Sequence, residues 1–269
     1  MGYPRIIEKV YREPWAIKPT THHAIQSSLA AALSGEQLPS NMEEVEEEYE
    51  YTQDGVSIIP ISGIIGKHVG LIETAFLGYV DVDSISLALD AAVADSSSTI
   101  VLYIDSAGGT VTGIPELANK IKEASKVKNV IAYTDSLCAS AAYWLASQAN
   151  AVYCSTSAEV GSIGVYMAML DESKKLEEEG ITVNTFQAGK YKLAGSSWKP
   201  MTDEERKMFQ DDVDYWYGLF TRDVLANRKL ADSTMQGQSF VGEKAVELNL
   251  VDGIIDSVEE LLAMTQEHQ

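Results

Sequence analysis

Three short segments carry residue types that could do chemistry together. The first is Leu137-Cys138-Ala139-Ser140-Ala141-Ala142-Tyr143-Trp144, where a serine precedes tiny residues at a loop-to-helix junction. A hydroxyl there would be open to an incoming carbonyl and would sit near the partial positive charge of a helix start. The second is Ile104-Asp105-Ser106-Ala107-Gly108-Gly109-Thr110, at the end of a strong strand. Paired glycines let the backbone approach a ligand and turn N–H groups outward, and such groups can hold a developing oxyanion. The third is Gln187-Ala188-Gly189-Lys190-Tyr191-Lys192-Leu193-Ala194-Gly195-Ser196. A lysine acts as a base at neutral pH only if its uncharged form is favoured, and burial among apolar groups can lower its pKa by up to about 3–5 units. Together these parts would perform acyl transfer, with a serine nucleophile, a lysine base and a backbone oxyanion hole. Each part alone has a plainer reading: a serine N-cap, an ordinary strand-to-helix turn and a surface loop lysine.

Histidine narrows the chemistry. The chain has four, His22, His23, His68 and His268. The first two lie in an N-terminal arm and the last beside the C-terminus, so only His68, in glycine-rich surroundings, could join a serine–histidine–aspartate triad. A lysine is the better-supplied base.

These residues need a scaffold, and the apolar patterning predicts one. Residues 56–61 read as a buried strand with Pro60 at a bulge or edge, and 99–104 as a β-branched strand. Residues 130–133, 151–154 and 163–167 read as further strands. Ile85, Leu89 and Val93 recur every four residues and predict a helix over 83–94. A glycine turn and a helix over about 113–126 follow the second strand, and a small-residue helix runs from about Ser140 to Ala149. Strands alternating with helices predict βαβ units and a largely parallel sheet. A long amphipathic helix spans 202–228, with Met208, Val213, Trp216, Leu219, Phe220 and Val224 on or near one face that reads as core or subunit interface. A closing helix ends at Asn249, which can take a left-handed cap. Before this unit lie a helix starting at Pro19 and ending before Gly35, and an acidic run over 43–50 that reads as a solvated linker or a docking site for a basic partner.

Composition removes whole classes of function. The formal net charge is −20 from 40 acidic and 20 basic residues, which repels phosphate backbones and anionic membranes. No apolar run approaches the roughly 20 residues of a membrane span, and residues 1–18 lack the apolar stretch of a signal peptide. Cys138 and Cys154 have no metal spacing and read as reduced, buried thiols. A cytoplasmic location is the expectation.

Taken together, the segments resemble the signal peptide peptidase A family of serine–lysine peptidases, and within it the bacteriophage branch of prohead or capsid-assembly proteases known as protein C. The likeness runs from about Gly55 to Asp256. It rests on the glycine pair, the Ala-Ser-x-x-Tyr segment, Gly161-Ser162-Ile163-Gly164-Val165, the Gly-x-Tyr-Lys loop and the closing Leu-Val-Asp, with Glu13-Pro14-Trp15-Ala16-Ile17 similar to the entry of phage members. The resemblance implies Ser140 as nucleophile, Lys192 as base and Ser162 as an accessory serine that aims the amine. It also implies Gly109 and Ala141, with Gly108 beside them, as the oxyanion hole. Lys190 is the rival base. The implied fold is α/β of the Clp protease/crotonase-like kind, a twisted, mainly parallel sheet with flanking helices. Residues 1–54 would be an arm and linker, 55–256 the peptidase domain and 257–269 a C-terminal helix or tail. No metal, nucleotide or other cofactor is implied. The implied partners are protein or peptide substrates, notably capsid scaffold or portal proteins, and further copies of the chain in a ring where the lysine reaches a neighbour's serine. Two departures stand out: Ser106-Ala107-Gly108-Gly109 replaces the Ser-Pro-Gly-Gly of many relatives, and Ser140-Ala141-Ala142-Tyr143 the Ser-Gly-Gly-Tyr of cellular ones. A cytosolic peptide-degrading peptidase, a catalytically silent minor capsid protein and a crotonase-type acyl-CoA enzyme are the rival functions on this fold.

Overall fold

From the N-terminus, a three-residue strand β1 (Trp15–Ile17) leads directly into helix α1 (Pro19–Leu33), with proline in the first turn, where its missing N–H costs nothing. The computed structural model describes residues 10–33, 51–53, 55–68 and 78–266; the acidic run at 43–50 lies outside them. Next come β2 (Tyr51–Gln53), β3 (Val56–Gly66), β4 (Tyr79–Asp81) and helix α2 (Val82–Ala94). The Asp81 carboxylate caps α2 by accepting the Asp83 N–H at 2.7 Å. Ile85 and Leu89 are buried on its inner face, while Val93 falls at the exposed margin.

Strand β5 (Thr99–Thr110) is the axis of the molecule, followed by α3 (Ile114–Ala124), β6 (Asn129–Thr134), β7 (Leu137–Ala139) and the short helix α4 (Ala141–Ala146). Then come β8 (Ala151–Cys154), β9 (Glu159–Gly161), α5 (Ser173–Glu178) and the long α6 (Asp203–Asn227). The chain closes with β10 (Ser239–Val241), α7 (Gly242–Glu247), β11 (Gly253–Ile254) and α8 (Val258–Gln266). Helix α6 starts at a full capping box between Thr202 and Glu205, which satisfies two otherwise orphaned N–H groups.

The sheet runs β10-β9-β7-β5-β6-β8-β11, with β3 also on β5. Its central pairings, β3–β5, β5–β6, β6–β8, β5–β7 and β7–β9, are all parallel. This is the mainly parallel α/β arrangement that the alternation of strands and helices predicts. Strand β5 is long enough to serve two sets of neighbours. Its first half pairs β6, and its second half pairs β7 and, antiparallel, β1. Ile59, Ile61, Ile65, Ile100, Leu102 and Ile104 pack under α2, α3 and α4 in the main core.

Two expectations need correcting, and a third is narrowed. The glycine pair does not turn from strand to helix: Gly108 and Gly109 lie within β5, with β3 paired on one edge and β1 on the other. Of the two readings of Pro60, the edge holds and the bulge does not: the register shift falls at Ser62–Ile64. Pro60 is tolerated because the outer edge of β3 is paired by β2 at Val56–Ile58 and by β4 from Ile64 onward, leaving the proline between them. Residues 163–167 form no strand; only Tyr166 bridges, to Trp15. The strand lies just before them, as β9. Asn249 does take the left-handed conformation, with φ 60°. Among the described residues, no helix is long and apolar enough to cross a membrane.

Candidate active site

Ser140 stands where β7 turns into α4. Cys138 and Ala139 are buried before it, and all six residues of α4 are buried after it. This tight reversal holds Ser140 at φ 59° and ψ −120°, a region that costs a residue with a side chain roughly 1–3 kcal/mol and persists only where the surroundings over-determine it. Here they do. The Ser140 N–H donates to the Gly161 carbonyl at 2.8 Å, and its own carbonyl accepts from the Trp144 N–H at 2.9 Å. The side chain makes no capping bond to α4, so the ordinary N-cap role is not the one Ser140 plays. Its hydroxyl makes only a long contact, 3.4 Å, to the Gly164 carbonyl. Such a bond is weak and leaves the oxygen's lone pairs uncommitted.

The glycine end of β5 meets this turn backbone to backbone. At Gly108, with φ +99°, an added Cβ would run into the Ala16 carbonyl oxygen and lie 2.9 Å from both the Ala139 oxygen and the Ala141 nitrogen. At Gly109 it would collide with the Ile65 carbonyl. Both positions therefore demand glycine for space. The Gly108 N–H donates to Ser106 Oγ at 3.1 Å, and that hydroxyl donates to the Gly63 carbonyl at 2.6 Å. Gly63, at the register shift between β3 and β5, and the Gly108 end of β5 are thereby tied together.

Ser162 is the third element of the cluster. It has φ 53° directly after Gly161 at φ 119°, and its N–H donates to the Gln238 carbonyl at 2.7 Å. It lines a cleft of about 380 Å³ with Ile17, Gly164, Tyr166, Val213 and Tyr217. Ser140, Ser162, Gly108 and Ala141 thus come together on the ends of β5, β7 and β9.

Lys192 does not join them within the protomer. It is exposed in the long segment between α5 and α6, where its N–H donates to the Gly189 carbonyl at 3.2 Å. No hydrogen bond links it to Ser140 or Ser162 among the described residues. Lys190 is held differently: its ammonium pairs with Glu204 at 2.6 Å and lies 5.2 Å from the Tyr191 ring centre. The hydrogen bond to Glu204 raises its pKa, which keeps its amine charged at neutral pH. His68 is exposed beside Asp83. His22 is buried, contrary to its reading as an outlying arm residue, and both ring nitrogens are occupied, at 2.8 Å by the Tyr166 hydroxyl and at 2.8 Å by the Val10 carbonyl. Neither histidine is placed to serve Ser140. Burial raises both thiols, Cys154 to about 11, so neither cysteine competes as a nucleophile at neutral pH.

Residues 122–269, more than half of the chain, match the model of peptidase family S49. The chain belongs to peptidase family S49. Three relatives frame that membership. Protein MJ0651 of Methanocaldococcus jannaschii is 35% identical over 164 residues, 60% of this chain and 53% of its own. Capsid assembly protease C of Escherichia phage lambda is 26% identical over 215 residues, 78% of this chain and 49% of its own. The chloroplastic serine protease SPPA of Arabidopsis thaliana is 27% identical over 207 residues, 75% of this chain and 31% of its own. The chain therefore spans about half, or less, of the length of these relatives.

Two contacts of this cluster could not be read from the residue types. The Gln238 carbonyl, which holds Ser162, is a backbone atom with no side-chain signature. The pairing of Trp15–Ile17 against Gly108–Thr110 joins residues more than ninety positions apart; its only trace in the sequence is a short apolar run between charged residues.

Proposed function

We propose that the chain is a serine endopeptidase in which Ser140 attacks a peptide carbonyl and Lys192 is the general base. The observation that carries this reading is the strained, uncapped Ser140 at a buried strand-to-helix turn, with glycine backbone packed against it. Neutral Lys192 takes the Ser140 proton as the oxygen adds to the carbonyl. The oxyanion is held by backbone N–H groups of Gly109 and Ala141, with Gly108 shaping the hole. Lysine then returns the proton to the leaving amine, and water releases the acyl group from Ser140. Ser162 orients the amine.

Because Lys192 stands exposed in the protomer, the reading requires its amine to come from an adjacent copy in a ring or from closure of its own segment. Desolvation on assembly would also favour its uncharged form. We take residues 55–256 as the peptidase unit. Head proteins of a phage capsid, such as scaffold or portal, are the proposed substrates. The similarity to the lambda capsid assembly protease supports this choice, and the host cytoplasm is then the place of action.

A fluorophosphonate probe tests the mechanism. Labelling of the full chain should map to Ser140 and increase with pH as the amine loses its proton. Ser140→Ala should abolish it and Lys192→Met should reduce it by at least a hundredfold. Labelling at another residue, or equal labelling of the Lys192→Met protein, would overturn the assignment.

A further inference from the structure

Strand β1 fills a slot that has two edges. On one side it pairs antiparallel with Gly108–Thr110 of β5, with the Lys18 N–H donating to the Ala107 carbonyl at 3.0 Å and the Val111 N–H to the Pro14 carbonyl at 3.3 Å. The antiparallel alternation then makes Ala16 and Gly109 a hydrogen-bonded pair. On the other side, Trp15 and Tyr166 exchange both backbone bonds, at 2.9 and 3.0 Å. The two edges are the glycine end of β5 and the segment leading out of Ser162, the walls on either side of Ser140. Where a Cβ on Gly108 would stand, the Ala16 carbonyl oxygen and the Ala141 nitrogen converge. An extended piece of the chain's own arm therefore runs through the space beside the nucleophile, bonded by its main chain on both edges.

A strand held in this way is bound as β-addition binds a peptide: main-chain bonds on the edges, and alternate side chains received in pockets. The pockets are present. Trp15 is fully buried in a cluster with Ile64, Tyr79 and Ala107 of the sheet, and stacks on His22 of α1, which stays in place when only Trp15–Ile17 is exchanged, with ring centres 4.9 Å apart. Ile17 faces the cleft that Ser162 lines. Lys18 closes the stretch with an ion pair to Glu159 on β9 at 2.6 Å.

We infer that this slot is the peptide-binding groove of the site, that substrates enter it as an extended strand in the place of Trp15–Ile17, and that the arm closes the groove of its own chain until it is displaced. The inference deepens the reading of Ser140 as a nucleophile and rests on it in calling the incoming peptide a substrate. The groove selects for main chain in β conformation, with an aromatic side chain one residue before, and a branched apolar side chain one residue after, the position of Ala16.

The test locks and unlocks the arm in one full-length protein. Lys18→Cys with Ala107→Cys places two thiols on facing residues of the β1–β5 ladder, at a separation a disulfide can span. In a Ser140→Ala background, binding of a fluorescein-labelled peptide with the sequence of residues 13–19 is followed by anisotropy. The reduced protein should bind the peptide saturably, and the oxidised protein should bind at least tenfold more weakly, with binding restored by reductant. Equal binding in both forms, or binding in neither, would overturn the inference. Peptide exchange needs no reaction at Ser140, so a gated groove in the Ser140→Ala protein, with no probe labelling of Ser140 in the parent chain, would sink the hydrolytic reading and leave the groove standing. With Ser140 retained beside the same cysteine pair, probe labelling of Ser140 at the same rate in oxidised and reduced protein would do the reverse.

Discussion

The surroundings of Ser140 and the segment that carries Lys192 are built on opposite principles. Around Ser140 every neighbour is buried: Ala139, Ala141, Tyr143 and Trp144 are closed off from solvent, the Tyr143 hydroxyl donates to the Leu250 carbonyl at 2.7 Å, and the Trp144 ring stacks on Phe220 at 4.6 Å. Dense packing over-determines the backbone, and only under such constraint does a strained serine persist. Residues 179–192 are exposed throughout, with Phe186 at 98% exposure and Ile181, Val183 and Tyr191 also open. Nothing in the protomer's core fixes where Lys192 points. The proposed nucleophile is prepared by folding, whereas the proposed base finds no surface in the protomer against which to be positioned.

The largest expected effects test that division directly. Ser140→Ala and Lys192→Met should each lower peptide hydrolysis by about 10³-fold or more. Mixing the two inactive proteins under conditions that allow subunit exchange should recover a measurable fraction of activity if the amine crosses between copies. No recovery from demonstrably mixed oligomers would mean that each protomer supplies both groups.

Glycine substitutions sharpen the contrast. Gly109→Ala forces a methyl into the Ile65 carbonyl, and backbone must move to admit it; a loss of about 3 kcal/mol is expected in denaturant unfolding. Gly189→Ala has nothing within 4 Å of the added methyl and meets only the strain of φ +96°, about 1 kcal/mol. Equal losses would show that the Lys192 segment is as tightly packed as the serine turn.

Acid should loosen the arm before it loosens the core. Burial lowers the His22 pKa below 6.5, so the ring is neutral when Trp15 is docked. The stabilisation it contributes is complete above about pH 6.5 and is lost as pH falls through the lowered value. The Nε2–H donates to Val10, which leaves Nδ1 to accept from Tyr166, the bond that protonation breaks. Glu159, its pKa lowered chiefly by the Lys18 ammonium, adds a second loss at lower pH. Hydrogen exchange over residues 10–20 should accelerate between pH 7.5 and 5 relative to β6, and His22→Gln should flatten that dependence. The smallest effect is expected at Phe186→Ser, within about 0.5 kcal/mol of protomer stability but with a shift toward smaller species in sedimentation. An unchanged oligomer distribution would remove Phe186 from any subunit contact.

Much of the scaffold was legible locally. The four-residue recurrence of Ile85 and Leu89 marks α2, the amphipathic run over 202–228 marks α6, and Asn249 takes the left-handed cap expected of it. These are interactions within a turn or two of helix, so the residue types alone decide them. Strand limits were less legible. Ile163 and Val165 have strand-forming types, yet the chain there lies along the cleft without a ladder, and pairing falls instead to β9.

Residue types alone determined that this chain has a serine before tiny residues, a glycine pair, a lysine among glycines, and a net charge of −20 that disfavours nucleic acid. Only the tertiary structure decided that Ser140 is strained and uncapped, that Gly109 meets the Ile65 carbonyl, that Trp15–Ile17 lies across the glycine end of β5, and that Lys192 stays apart from Ser140. The reason is physical. Capping and periodicity are energies of neighbours along the chain, whereas strand addition, backbone collision and exposure arise between segments tens of residues apart, brought together only when the sheet closes.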